Sequence, residues 1–113
     1  MPVTPGFTDY LHELFAPLGT IRIRRMFGGA GVFLDDVMFA LVADEVLYLK
    51  ADDENRPQFE AEGLEAFSYE SRGKRVTLSY FRAPDEAMDS PALMHPWARG
   101  ALAAALRGAR KGG

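Results

Sequence analysis

A glycine-rich stretch, Gly28-Gly29-Ala30-Gly31, interrupts a run of residues that otherwise has the composition of β-strands. The run that enters it, 20–24, alternates isoleucine with arginine, and the run that leaves it continues through 32–34. A phosphate-binding loop needs glycines between a strand and a helix at a defined spacing, and that spacing is missing here. Glycine inside a strand pattern is typical of a bulge or sharp bend, because it accepts positive φ and close backbone approach. We therefore predict that Gly28, Gly29 and Gly31 form a structural bend within one strand.

Apolar periodicity predicts the elements on either side of this stretch. A first helix follows Thr4-Pro5 and carries apolar residues at every third or fourth position, namely Phe7, Tyr10, Leu11, Leu14, Phe15 and Leu18. After the glycines, turns at Asp35-Asp36 and Asp44-Glu45 separate runs at 37–43 and 46–50 that have strand composition. These runs indicate an antiparallel meander.

The second half of the chain predicts a helix, a hairpin and a last helix. Four polar residues cluster before the middle helix, at Asp52, Asp53, Glu54 and Asn55, and Gly63 closes that helix. Strands at 64–69 and 76–81 flank a loop at 70–75. Ser90-Pro91 starts the last helix, and Pro96 predicts a kink or restart near His95 because it removes a backbone hydrogen bond.

The elements follow the order α-β(3)-α-β(2)-α. We predict an α+β fold of two layers, with the helices on one face of an antiparallel five-stranded sheet. At 113 residues the chain should form a single domain over residues 1–113. Its core is expected at about 5–107, with a frayed C-terminal tail at 108–113.

Composition excludes several classes of function. The chain has no cysteine, so disulfides, thiolate zinc sites and thiol catalysis are absent. Its start lacks the pattern of a signal peptide and no apolar run reaches the length of a membrane span, so we expect a cytoplasmic protein without membrane contact. The net charge is −3 and the pI about 5.3, which argues against non-specific nucleic-acid binding but leaves a local basic patch possible.

Catalytic and metal-binding patterns are also missing. His12 and His95 have no motif partner, and there is no nucleophile elbow or zinc-binding spacing. The acidic cluster at 52–54 is interpreted as helix capping rather than as a metal site, because the calcium-loop spacing is absent. We therefore predict no catalytic residues, no cofactor and no metal.

Two sets of residues remain as candidate contact surfaces. Basic side chains occur in two groups, at Arg22, Arg24 and Arg25, and at Arg72, Lys74 and Arg75. They are either ordinary solvated charges or contacts to phosphates or a partner. The strand at 37–43 is apolar on both sides, so Met38, Ala40 and Val42, or the opposite set, would lie on a sheet face that helices do not cover. That face predicts a homodimer or protein-partner interface, unless arginine stems and loops shield it.

The chain resembles the TfoX N-terminal domain family, the front half of the Sxy/TfoX regulators of natural transformation. The resemblance begins at Arg25-Met26-Phe27-Gly28-Gly29 and Gly31-Val32-Phe33. Further matches follow in order, at Met38-Phe39-Ala40-Leu41, Leu47-Tyr48-Leu49-Lys50, Asn55 with Phe59, Gly63-Leu64, Phe67-Ser68-Tyr69, Leu78-Ser79-Tyr80 and Trp97-Ala98. The likeness extends over most of the chain.

This resemblance implies a secretion-chaperone-like fold with the same element order, and a stand-alone N-terminal domain. By resemblance, the chain would be a non-enzymatic regulatory domain in competence or transcription, acting through protein or nucleic-acid contacts. The alternative is a homodimeric protein-binding adaptor with no nucleic-acid role.

Overall fold

The computed structural model describes residues 4–26 and 28–111, apart from the side chain of Lys111. Its helices are α1 (Pro5–Leu14), α2 (Arg56–Ala61) and α3 (Pro91–Lys111), and a 3₁₀ turn spans Asp85–Asp89. Its strands are β1 (Arg22–Met26), β2 (Gly29–Leu34), β3 (Val37–Ala43), β4 (Val46–Lys50), β5 (Ala66–Ser71) and β6 (Lys74–Arg82). The predicted α+β class is confirmed.

The sheet has six strands rather than the five predicted, and this is a correction. The strand order is β1-β2-β3-β4-β6-β5, with every neighbouring pair antiparallel. The glycine stretch does not bend one strand. It lies where the chain turns from β1 into β2, which form a hairpin in which Met26 pairs with Gly29. Gly28 has φ +78°, which lets the chain reverse direction at this point. Phe27, which belongs to the same predicted stretch, lies outside the described residues.

Gly29 and Gly31 are required for close approach rather than for an unusual φ. A Cβ built on Gly29 would lie 2.2 Å from the carbonyl oxygen of Val42 on β3, so the backbones could not pair as they do. A Cβ on Gly31 would meet the ends of the Met26 and Met38 side chains at 2.9 and 3.0 Å. The prediction that glycines let another backbone come close is therefore confirmed at Gly29.

A β-bulge in β3 decides which side chains face the helices. Val32 pairs with Ala40 but Phe33 pairs with Met38, so Phe39 has no partner on β2. Phe39 is fully buried, and its ring meets the ring of Phe15 at 5.1 Å in an edge arrangement. The simple alternation expected along β3 is wrong, because the extra residue puts Phe39 and Ala40 on the same side.

The helices cover one face of the sheet, which we call the inner face. The core that they form with the sheet includes the following buried side chains: Leu11, Leu14, Phe15, Val32, Phe39, Ala40, Val42, Leu47, Leu49, Phe59, Phe81, Met94, Ala98 and Ala101. Phe59 of α2 stacks on Phe81 at 5.3 Å and lies 5.2 Å from Trp97 of α3. Both the short and the long helix thus pack on the same side of the sheet.

The N-terminal caps of α1 and α3 agree with the predicted ones. Thr4 accepts a hydrogen bond from the Phe7 amide, and Ser90 accepts one from the Leu93 amide at 3.1 Å. However, α1 ends at Leu14, so Phe15 and Leu18 lie in the turn that follows it. Of the predicted kink or restart near His95, the restart is wrong, since α3 runs without interruption from Pro91 to Lys111.

The loop before α2 is held by Asn55 and Asp52 rather than by a simple cap. The Asn55 amide group is buried, accepts from the Asp52 amide at 2.7 Å and donates to the carbonyls of Lys50 and Gly100. Asp52 accepts from the Glu54 amide at 3.0 Å. Arg107 near the end of α3 donates to both Asp52 oxygens, at 2.6 and 2.8 Å. This contact lowers the pKa of Asp52 from 3.8 to about 2.

We expect Gly29→Ala to lower the free energy of unfolding by about 2 kcal/mol or more, the size of an overpacking defect in a core. The new methyl group would meet the backbone oxygen of Val42, which cannot move without breaking the β2–β3 pairing. Gly108→Ala is the matched control, because a Cβ there has open space and should stabilise α3 by about 0.5 to 1 kcal/mol. Urea denaturation measures both, and equal stability of the two variants would contradict the packing role of Gly29.

The Asp52–Arg107 ion pair should make stability depend on pH in the acid range. The pKa of Asp52 is lower in the folded chain than the ordinary 3.8, so this contribution is present above about pH 4 and is lost as the pH falls through about 2. We expect the urea midpoint of the wild type to fall more steeply between about pH 5 and pH 2 than that of Arg107→Gln. Arg99→Gln, an exposed position on the same helix, should follow the wild type. Parallel curves for wild type and Arg107→Gln would refute this assignment.

Candidate functional site

The sheet face turned away from the helices, here called the outer face, is not covered by any described element. Strand register places its members, since directly paired residues point to the same side. Its side chains are Arg22, Arg24, Met26, Phe33, Met38, Leu41, Tyr48, Lys50, Phe67, Tyr69, Lys74, Val76, Leu78, Tyr80 and Arg82. Apart from Leu41, these side chains are half-buried or exposed. The outer face is therefore open to a partner.

The charged strand residues of the outer face are all cations. Among the described strands, this face carries five of the 13 Lys and Arg residues, at Arg22, Arg24, Lys50, Lys74 and Arg82, and none of the 16 Asp and Glu residues. Two exposed carboxylates lie at its rim, in the turn after β2 and after β6. Asp36 is 2.9 Å from Arg22, and Asp85 is 3.8 Å from Arg82. Such exposed pairs are weak, so the face remains positive although the chain is acidic.

Aromatic rings lie between these cations. Phe33 is flanked by Arg22 and Arg24, each with its guanidinium carbon 6.0 Å from the ring centre. The ammonium group of Lys50 lies 5.0 Å from the ring of Tyr80. Burial raises the pKa of the Tyr80 hydroxyl, so this ring is neutral at physiological pH. Cations next to rings gain from the ring quadrupole and remain free to reorient where they are exposed.

The rings continue toward the β5 edge as a connected row. Tyr48 lies 5.0 Å from Phe67, and Phe67 lies 6.0 Å from Tyr69. Tyr69 is 44% exposed, which makes it the most exposed aromatic side chain in the described chain. Rows of partly exposed rings on a sheet are able to stack with planar ligands.

An apolar patch occupies the β1–β3 side of the outer face. It consists of Met26, Phe33, Met38 and Leu41. These side chains surround Gly31, which has no side chain of its own and is buried. Leu41 is buried but does not belong to the core under the helices. Packing between these side chains shields part of the patch from water.

The predicted basic residues separate into different places. Arg22 and Arg24 lie on the outer face, whereas Arg25 pairs with Ala30 and points to the other side. Lys74 is on the outer face, and Arg75 points away from it and donates to the Ser68 hydroxyl at 2.7 Å. The two groups belong to opposite ends of the strand order and are roughly 20 Å apart or more, given strand spacings of about 4.8 Å.

Arg72 lies in a two-residue turn, with φ +53°, rather than in a six-residue loop. Gly73 follows it with φ +79°, so both central residues have positive φ, as in a tight hairpin turn. The Arg72 side chain is exposed at the tip of the β5–β6 hairpin. Arg72 therefore extends beyond the strands rather than joining the outer face.

Two of the three predicted interface residues are not accessible, and this is a second correction. Ala40 and Val42 are 0% and 1% exposed and belong to the core under the helices. Only Met38 of the predicted set reaches the outer face, where it is joined by Leu41 of the opposite set. The bulge at Phe39 is the physical reason, because it shifts the alternation by one residue.

Sequence reasoning missed most of the outer face as a contact surface. Its predicted contacts there were Arg22, Arg24, Lys74 and Met38. Lys50, Arg82 and the aromatic residues of β4, β5 and β6 were not predicted as contacts. The register Tyr48–Arg82 and Lys50–Tyr80 brings them together from segments about 30 residues apart. Alternation within 46–50 and 76–81 indicates which side chains share one face of the sheet, but the pairing of β4 with β6 was not evident from the sequence.

A polar cleft next to the end of β4, bordered by Lys50 of the outer face, is the second candidate. It has a volume of about 300 Å³ and is lined by Lys50, Asp52, Glu54, Arg56, Ser79 and Arg107 among others. Its carboxylates are paired with arginines, since Arg107 also lies 3.0 Å from Glu54 and Arg56 lies 3.1 Å from Asp53. In residues 4–26 and 28–111, no group of three His, Asp or Glu side chains is placed to hold a metal ion.

The two histidines stand apart from this cleft. His12 is exposed on α1, and His95 lies on α3 with its Nδ1 buried and unpartnered. Neither lines the described cleft. In the cleft, ion pairs between Arg107 and the carboxylates of Asp52 and Glu54 connect α3 to the loop before α2.

None of the helices in the described part of the chain combines the length and apolar character of a membrane span.

Comparison with known proteins gives a consistent result. Residues 13–105 match the TfoX N-terminal domain. The chain is 37% identical over 76 residues to Protein Sxy of Escherichia coli strain K12, and 37% identical over 75 residues to DNA transformation protein TfoX1 of Aliivibrio fischeri. These matches cover 67% and 66% of the chain but 36% of each relative. The family match spans most of the chain, and the chain belongs to the TfoX N-terminal domain family.

Proposed function

We propose that this chain is a non-enzymatic regulatory domain that acts in the cytoplasm, in competence or transcription control, through macromolecular contacts made by its outer face. The observation that carries the proposal is the outer face itself. It is a broad, uncovered sheet surface whose charged strand residues have one sign, in a chain of opposite net charge. Such segregation of charge is typical of surfaces that recognise a charged partner.

The chemistry of the described residues supports a binding role over catalysis. Function must be argued from a site, and a catalytic site needs a nucleophile or acid–base group with a partner that orients it. In the polar cleft the carboxylates are paired with Arg56 and Arg107, and Asp52 is also held by backbone amides. The outer face offers cations and rings, which are binding groups.

The biological role is proposed by kinship with the two relatives. Their names refer to Sxy and to DNA transformation, and the chain corresponds to about a third of their length. The segment that matches the family, residues 13–105, includes the strands that form the outer face. We therefore assign the outer face, rather than the cleft, as the surface through which a domain of this family acts.

A second candidate function is a homodimeric adaptor that binds a protein partner and no nucleic acid. The apolar patch of Met26, Phe33, Met38 and Leu41 favours it, because contiguous apolar surface on a sheet is typical of protein interfaces. Under this alternative the two copies would meet patch to patch, and the cations would lie at the rim of the interface. Its signature is a concentration-dependent dimer that Met38→Glu converts to a monomer.

The proposal predicts the behaviour of a chimeric regulator in living cells. We would replace the matching segment of Aliivibrio fischeri TfoX1 by this chain and measure transformation frequency. The variant Arg24→Glu with Arg82→Glu should lower the frequency by about tenfold or more, since like charges facing a partner cost several kcal/mol. Both residues are exposed, so folding should not change.

Arg99→Glu, an exposed position on α3 away from the outer face, is the matched control and should leave the frequency unchanged. Immunoblotting and circular dichroism establish that the chimeras accumulate and fold equally. A chimera that transforms normally with both outer-face charges reversed would refute the proposal.

A further inference from the structure

We infer that the outer face binds single-stranded DNA, with phosphates on its cations and bases stacked on its aromatic rings. The inference rests on the proposed function in that it uses the same surface, and it adds the chemical class of the ligand. Neither the family nor the names of the relatives specifies this surface or a single-stranded ligand.

Charge complementarity is the first argument. Five cations from β1, β4 and β6 face one way, and the described strands contribute no carboxylate beside them. They extend across most of the sheet from β1 at one edge to β6 next to the other. A flexible polyanion is able to follow such a spread of charges and releases counterions as it binds.

The alternation of rings with cations is the second argument, and it separates a nucleic acid from an acidic peptide. Phe33 lies between Arg22 and Arg24, Tyr48 pairs in register with Arg82, and Tyr80 lies beside Lys50. A nucleotide chain repeats a planar base and a phosphate, so each ring–cation pair matches one repeating unit. An acidic peptide would use the cations but has no planar group for each ring.

The arginines can leave Phe33 when a base arrives. Their guanidinium carbons lie 6.0 Å from the ring centre, at the outer limit of a cation–π contact, and both side chains are exposed. They can therefore turn toward a phosphate while the ring accepts a base. Tyr69, at 44% exposure, needs no rearrangement to stack.

The geometry favours a single strand of DNA over duplex or RNA. Bases in a duplex stack on one another and do not present their faces to a sheet, whereas unpaired bases do. RNA is distinguished by hydrogen bonds to its 2′-hydroxyl. The strand residues of the outer face offer that hydroxyl no carboxylate or side-chain amide, and only the hydroxyl groups of the tyrosines and of Ser71 remain as side-chain acceptors.

The test is fluorescence anisotropy with a labelled oligothymidylate of about 16 nucleotides, the upper end of the site size for one single-strand-binding module. We expect salt-dependent binding with a slope of log K against log salt of about −3, from four to five phosphate contacts on a single strand. A DNA duplex and an oligouridylate of equal length should bind more weakly, and an oligoglutamate of equal charge should compete poorly.

Three variants assign the contacts. Arg24→Ala should reduce the magnitude of the slope by about 0.7, the contribution of one phosphate on a single strand. Tyr69→Ala should weaken binding about fivefold or more with the slope unchanged, because it removes a stacking ring and no charge. Arg99→Ala, which removes an exposed cation from α3, should change neither quantity.

Several results would overturn the inference. The first is that oligothymidylate does not bind at low salt, or that the duplex or oligouridylate binds more tightly than it does. The second is that oligoglutamate competes as well as a nucleic acid, or that Arg99→Ala has the same effect as Arg24→Ala. The third is that the chain forms a dimer that Met38→Glu dissociates. If the chimera requires Arg24 and Arg82 but the domain does not bind oligothymidylate, the inference fails and the proposed function stands. If oligothymidylate binds as expected but the chimera is indifferent to these charges, the proposed function fails and the DNA contact stands.

Discussion

One extra residue in the central strand β3 determines how the two faces of this sheet are divided. The bulge at Phe39 turns that ring into the core against Phe15, and it lets Ala40 follow on the same side. Met38 and Leu41, three positions apart, then share the outer face. A regular strand would have sent Phe39 outward and exposed a large ring, while leaving the space beside Phe15 unfilled.

The consequences extend along every strand paired with β3. Because directly opposed residues point to the same side, the bulge fixes Gly31 and Tyr48 on the outer face through Leu41, and β4 then orients Arg82 through Tyr48. Helices α2 and α3 need only cover the inner face, where Phe59, Phe81 and Trp97 pack together. The cations and rings of distant strands are thereby collected on one surface, although no short segment of the sequence contains them together.

The sequence predicted what depends on local pattern and missed what depends on pairing. The α+β class, the caps at Thr4 and Ser90 and the acidic turns were predictable, because each follows from residues within a few positions. The number of strands was not, because a glycine stretch is compatible both with a bend in one strand and with a turn between two strands. Only the pairing of β1 with β2 distinguishes them. Ala40 and Val42 were misplaced because alternation cannot reveal a bulge. Arg107 escaped notice since its partner Asp52 lies 55 residues away.

Local charge, rather than the total, decides what such a domain attracts. The chain has a net charge of −3, and yet the charged strand residues of the outer face are all cations, so most acidic groups lie on turns, loops and helices elsewhere. A polyanion that approaches is repelled by those regions and attracted by one face, over distances limited by a Debye length of about 8 Å. An acidic composition is therefore compatible with the nucleic-acid binding that we propose. Such binding would be confined to the outer face, where cations and aromatic rings lie together.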